Sequence, residues 1–274
     1  MNNNTTLLFM MNEFLFQRVT LILLTAFVLF LLIFAFTTHI QITDHTVTSI
    51  SILNGTPITG PETQTIVQIF INTLTSLGLT SVLILCVIAS ANLLPDMFAN
   101  GKMIFFLTKP FSRMVVLTQM FVGVVSAFFI IQCFLFGSFW LILSLKIGFV
   151  SLSFLTIIIP MGISFAAVYA LMMLLSLTVK STGLVTFIGF IHVGAFSSLL
   201  SNRFHAISNT SDNGILHTVI VTLYYILPQI EDLRVIAKNI AIGEPYTFFP
   251  ILLACVSATI MLLLSFYVFR KMDI

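Results

Sequence analysis

The sequence predicts an all-α integral membrane protein with six transmembrane helices, a cytosolic surface helix between the second and third, and an outer-face helical segment between the fifth and sixth. Three observations lead there. Of the 274 residues, 59% are hydrophobic and only 7% are charged, and mean hydropathy is +1.15; about a quarter of a soluble domain is charged. Charge-free apolar runs of membrane length recur along the chain, since a hydrocarbon core about 30 Å thick takes roughly 20 residues at helical rise. Lys and Arg concentrate in alternate connections, as the positive-inside bias requires.

Residues 1–18, "MNNNTTLLFMMNEFLFQR", read as a partly amphipathic inner segment. The first span is Val19 to Phe36. It is expected to stay uncleaved, because the stretch before it contains Glu13, has Arg18 as its one basic residue, and leads to no small-x-small site in "FAFTTHIQ". The second span runs from about Ile66 to Ala91 and the third from near Met114 to Ser144, long enough to tilt or project beyond the bilayer. The fourth is Leu152 to Val179, the fifth Thr182 to Leu200 and the sixth Phe248 to Phe269. A further apolar piece, Ile215 to Leu227, is too short to cross and suits an interfacial or re-entrant helix. Residues 1–274 read as a single transmembrane domain.

With the N-terminus inside, the inner segments carry Arg18, Lys102, Lys109, Arg113, Lys180, Arg270 and Lys271, and the outer ones Lys146, Arg203, Arg234 and Lys238. The short inner loop at 92–113 holds three basic residues and the first outer loop, 37–65, none. Both termini are therefore expected to be cytosolic.

Within 92–113, Pro95 is a helix-start signal, and Asp96 falls in the first turn, where a negative charge suits the helix dipole. Gly101 interrupts that helix, "MIFFL" follows, and Lys109-Pro110 stops it before the third span. A short surface helix with its apolar side on the membrane and its charges toward the cytosol fits this pattern, as does a basic loop held by anionic lipid headgroups.

The outer segment 201–247 begins with turn chemistry in "SNRFHAISNTSDNG". Past Pro228, Glu231 and Arg234 are spaced i,i+3 and Arg234 and Lys238 i,i+4, with Asp232 beside them and Ile230, Leu233, Val235 and Ile236 supplying apolar surface. A helix on the outer leaflet is expected, either a solvated connector or a contact for an outer-face accessory protein.

Catalytic and cofactor signals are missing. Around Gly101-Lys102 the upstream glycine of a P-loop is replaced by Asp96 and its hydroxyl residue by Met103, so the chain cannot cradle ATP in that way. There is no H-E-x-x-H, and "GISF" at Gly162 to Phe165 lacks the second glycine of an intramembrane serine protease. Cys86, Cys133 and Cys255 fall within predicted spans and read as small apolar side chains. His39, His45, His192, His205 and His217 match no metal-ligand spacing; His192, inside the fifth span, is either a hydrogen-bonded core residue or a proton or metal group. No catalytic or metal residue, no bound cofactor and no nucleic-acid partner are expected. Gly123, Gly137 and Pro160 are candidate close-packing or kink positions.

The stretch "LPDMFANGKMIFFLTKPFSRMVVLTQMFVG", Leu94 to Gly123, resembles the loop after the second span in ABC-2 type permeases: a helix, a glycine, an apolar run, then L-x-K-P-x-S-R and the next span. Leu107, Lys109, Pro110, Ser112 and Arg113 match that pattern. The six-span layout and "YYILPQIEDL" before the last span are also similar to the family, particularly to the branch with the permease of the nitrous-oxide-reductase maturation system. Where many members place Glu and Arg before the glycine, this chain has Met97, Phe98, Ala99 and Asn100.

The resemblance implies a permease subunit in the cytoplasmic membrane of a prokaryote, paired with a second permease chain, identical more readily than not. It further implies two copies of a separate ATPase that bind the ATP and Mg. Pro95, Asp96, Gly101, Lys102, Lys109, Pro110, Ser112 and Arg113 would then form the coupling element on the ATPase. The spans' polar content, largely Ser and Thr with Asn72, Gln119 and Gln132, suits lipid-like or amphipathic cargo better than a small ion; work on an outer-face partner is the other use. Two alternatives from other classes are an ion-gradient-driven secondary transporter, which would need internal repeats and buried ionisable groups, and a membrane anchor for another protein.

Overall fold

A computed structural model describes residues 5–43, 46–52, 58–59, 80–84, 87–99, 112–147, 152–179, 181–201 and 214–272. Helix α1 (Thr5–Leu15) turns at Phe16 and Gln17 into α2 (Arg18–Thr37), and the two are bent 50° apart. As the amphipathic pattern predicts, α1 buries Met10 and Phe14 completely while Leu8 on the other face is exposed.

After α2 the chain forms a small antiparallel meander, β1 (Thr38–Thr43), β2 (Thr46–Ile52) and β3 (Ile58–Thr59). Thr38 pairs with Ile52 and Thr43 with Thr46, with a bulge at Gln41 and Ile42. This departs from the all-α expectation. "THIQIT" and "TVTSISI" alternate β-branched residues with period two, a pleated-surface pattern.

The second membrane helix is described from Thr80 to Met97 and finishes as α3 (Leu93–Ala99). Beyond the expected stop at Ala91 the chain passes one turn residue, Asn92, and is helical again in α3, with the Asp96 amide donating to the Asn92 carbonyl at 3.0 Å. Pro95 is the third residue of α3, where its missing N–H deprives the first turn of nothing. The expected beginning of this span, residues 66–79, lies outside the described residues.

Next come α4 (Arg113–Ile147), a 3₁₀ segment (Leu152–Ile157) and α5 (Ile158–Val179). Then α6 (Thr182–Ile191), a π turn (His192–Phe196) and α7 (Ser197–Ser201) make one continuous rod. The chain finishes with α8 (Gly214–Ile226), α9 (Ile230–Ile242) and α10 (Phe249–Lys271). With 35 residues α4 spans about 52 Å, so it projects beyond the hydrocarbon as expected. The short α8 matches the non-crossing piece Ile215 to Leu227.

Among the described residues five helices are long and apolar enough to cross a membrane, and the bent pair α1–α2 makes six if it is counted as one span. This is a multi-pass helical membrane protein.

Helix α5 is the post around which the bundle stands. It packs against α4, α6, α9 and α10, and its window is 72% buried, against 28% for the fifth membrane helix and 22% for α10. Lipid tails are as apolar as Leu, so helices associate through close approach. Along α10 the buried residues are Ala254, Ser257, Met261, Ser265 and Phe269, a mainly small stripe at helical spacing. The seam with α4 is aromatic: Phe128 stacks on Phe165 with centroids 4.0 Å apart, and Phe121 stacks on Tyr169 at 5.8 Å.

Glycines admit the closest approaches. A methyl group on Gly162 would lie 2.1 Å from Cζ of Phe129, and one on Gly123 would lie 2.7 Å from the carbonyl oxygen of Leu7 in α1. Gly137, by contrast, has nothing within 4 Å of such a methyl, so it is not the packing position expected. Pro160 sits just past the change from 3₁₀ to α geometry, and the Ser164 hydroxyl donates to its carbonyl at 2.9 Å.

Gly162→Ala is expected to destabilise the protein in detergent by about 1–3 kcal/mol through overpacking on Phe129. Gly137→Ala is expected to stabilise it by about 0.5–1 kcal/mol through helix propensity alone. Thermal unfolding of the two variants measures both signs.

Candidate functional site

Two groups of polar contacts, one towards each end of the bundle, tie its elements together. At one end α4 begins. Ser112 is its N-cap, with Oγ accepting from the Val115 amide at 3.3 Å and the Ser112 carbonyl accepting from the Val116 amide at 3.2 Å. Arg113 occupies the first helical position, where the positive pole of its own helix disfavours a cation. Its guanidinium reaches across the bundle, and Nη1 donates to the Met272 carbonyl at 2.7 Å. Met272 is the C-cap of α10, whose last turn also carries Arg270 and Lys271, so the negative pole of α10 receives three cations. Lys271 also lies over the Tyr267 ring, 4.5 Å from its centroid.

The same end holds the exit from the second membrane helix. Pro95 is buried and Asp96 exposed. Asp96, Leu93 and Met97 form one wall of a cleft of about 470 Å³, and Phe9, Asn12, Glu13 and Arg18 of the α1–α2 corner form the other. Of the expected coupling residues, Pro95, Asp96, Ser112 and Arg113 thus border the interval from 100 to 111. Gly101, Lys102, Lys109 and Pro110 lie outside the described residues.

The opposite end is a polar clasp. Here α9 packs on the 3₁₀ segment and α5, burying Ile230, Leu233, Ile236 and Ala237. Its charged side chains point into the protein. Glu231 pairs with Arg234 at the expected i,i+3 spacing, and Arg234 Nη1 donates to Thr80 Oγ1 at 2.7 Å. Both carboxylate oxygens of Asp232 accept a hydrogen bond, one from the Ser201 hydroxyl and one from the Tyr224 hydroxyl at 2.7 Å. The Glu231 amide donates to Ser197 Oγ at 2.7 Å, and Gln229 Nε2 donates to the Tyr224 carbonyl at 3.0 Å. Glu231, Asp232 and Arg234 are therefore docking residues of α9 rather than a free charged face, while half-buried Lys238 stands further along the helix.

The π turn makes this clasp work. In an α-helix residues four apart share a face, but at the π turn the Ser197 amide bonds to the His192 carbonyl, five residues back. That extra residue brings His192 into line with Ser197 and Ser201. His192 Nε2 lies 3.1 Å from the Pro228 carbonyl, which can only accept, so this nitrogen carries the proton. His192 is a hydrogen-bonded core residue, and among the described residues no cluster of His, Cys, Asp or Glu could hold a metal ion.

Sequence spacing alone missed Thr80, Ser197, Ser201, Tyr224 and Gln229. The one visible signal was the break at Pro228 followed by acidic residues in the first turn of α9. No known protein-family model matches the chain, and no curated protein is significantly similar to it.

Ser197→Ala leaves the half-buried Glu231 amide without this acceptor and is expected to cost about 1–3 kcal/mol. Asp232→Ala, which removes the acceptor of the Ser201 and Tyr224 hydroxyls, is expected to cost a similar amount. Thermal unfolding should place both variants well below Thr259→Ala, whose hydroxyl bonds within its own exposed helical turn.

Proposed function

We propose that this chain is the permease subunit of an ATP-driven exporter of the ABC-2 type, with six spans, both termini cytosolic, and two copies in the cytoplasmic membrane of a prokaryote. The segment 92–113 is the coupling element on a separate ATPase, which binds the ATP and Mg. The observation that carries this reading is the bond from Arg113 to the Met272 carbonyl. It joins the last residue of the motif to the end of the last span, so a displacement of the loop acts on two membrane helices at once.

Other features support it. Ser112 caps α4, and α4 lies along α5, the most enclosed of the membrane-length helices among the described residues. A push on the start of α4 is thereby transmitted through close-packed side chains rather than lost in a loose connection. The cleft beside Asp96 is the natural seat for a soluble partner close to the loop. The lipid-exposed faces of α2 and α6 suit lipid or the second permease copy, and a lipid-like or amphipathic cargo fits spans with so few charges. Conformational work on an outer-face accessory protein uses the same relay.

The test is co-expression with the candidate ATPase and purification through a tag on this chain. The ATPase is expected to co-purify and to hydrolyse ATP faster in the complex than alone. Gly101→Leu is expected to abolish co-purification. Arg113→Ala is expected to retain the ATPase but lose the stimulation. A fully active chain with no nucleotide-hydrolysing companion would refute the proposal.

A further inference from the structure

Beside the clasp lies a cleft of about 600 Å³, walled by Ser201, Tyr224, Asp232, Asn239, Tyr246 and Pro250. Its charge is unusual. Among the described residues Arg234 is paired with Glu231, and Asp232 has only two neutral hydroxyl donors. The N-terminal pole of α9, in whose first turn Asp232 sits, offsets about half a unit charge and no more. Among the described residues no cation is paired with this carboxylate, and a carboxylate so held attracts one.

The surroundings say which kind. Tyr246 is exposed, and its ring meets Phe248 edge-on with centroids 5.2 Å apart. Phe248 and Phe249, at the foot of α10, are exposed as well. Tyr is enriched at the headgroup level of membranes, and Tyr246 stands three residues before α10, a helix long and apolar enough to cross one, so a cleft at that mouth is within reach of lipid headgroups. Asn239 Nδ2 donates to the Pro245 carbonyl at 3.3 Å, which leaves its own carbonyl oxygen as a further acceptor. A carboxylate, a neutral acceptor and an accessible aromatic face together suit an alkylammonium group.

We propose that this cleft binds the ammonium headgroup of a zwitterionic phospholipid, with Asp232 as counter-ion and Tyr246 as the aromatic wall. The site rests on the cleft alone and stands whether or not the chain works with an ATPase. It predicts a preference among lipids of identical tails: phosphatidylethanolamine binds, while phosphatidylglycerol, which lacks the ammonium, does not.

Native mass spectrometry of the purified full chain with each lipid in turn tests this. Wild-type protein is expected to bind phosphatidylethanolamine at least about tenfold more tightly than phosphatidylglycerol. Asp232→Asn, which keeps a hydrogen-bonding side chain of the same shape, is expected to reduce that preference to near unity. Tyr246→Ala, at an exposed position, is expected to weaken phosphatidylethanolamine binding even if Asp232→Asn proves unstable. Equal binding of the two lipids by wild type, or an unchanged preference in a folded Asp232→Asn protein, would overturn the proposal. So would full competition by soluble glycerophosphoethanolamine, because the ligand would then be a free headgroup compound rather than a membrane lipid.

Discussion

The close approach of α5 to its neighbours is the constraint on which the remaining structure depends. No hydrophobic force draws helices together inside lipid, so the bundle holds where surfaces fit. Gly162 admits the Phe129 ring, the Phe128–Phe165 stack fills the next turn, and the small stripe of α10 lets that helix lie close against α5. With this post enclosed, α9 has a surface to dock on, α4 a partner to slide against, and the two polar ends a fixed separation.

Each end solves the same electrostatic problem in a different way. The clasp satisfies the start of α9 from the side, with Ser197 on the Glu231 amide and with Ser201 and Tyr224 on Asp232. The elbow satisfies the end of α10 with a cation borrowed from the beginning of α4. A helix terminus inside a bundle leaves backbone groups without partners, and both solutions tie distant parts of the sequence together. Such ties turn a stack of helices into something that can move as a body.

Much of this was legible in the sequence, because spans are written as apolar length. The ends of α2, α4 and α10 and the C-terminal end of α5 fall within a few residues of where charge and hydropathy put them, and the fourth span's expected start at Leu152 is where the 3₁₀ segment begins. Gly123 as a point of close approach and the Glu231–Arg234 pair were legible too, since both follow from helical periodicity. The π turn was not: one inserted residue realigns His192 with Ser197 and leaves no mark in composition. The docking of α9 was hidden for a related reason, as an amphipathic helix reads alike whether its charged side meets water or a polar partner. Of the candidate coupling residues, Ser112 and Arg113 prove to have local roles as cap and crosslink.

The central claim is that movement of the segment ahead of α4 is driven by nucleotide. The most direct measurement is the distance between spin labels at position 102 in the two permease copies of the reconstituted complex, recorded with ATP trapped and again with ADP. Closure of the ATPase pair should bring the labels several ångströms closer in the ATP state, and Arg113→Ala should leave that shift intact while α10 no longer follows. An identical distance in the two nucleotide states, in a complex that hydrolyses ATP, would contradict the account.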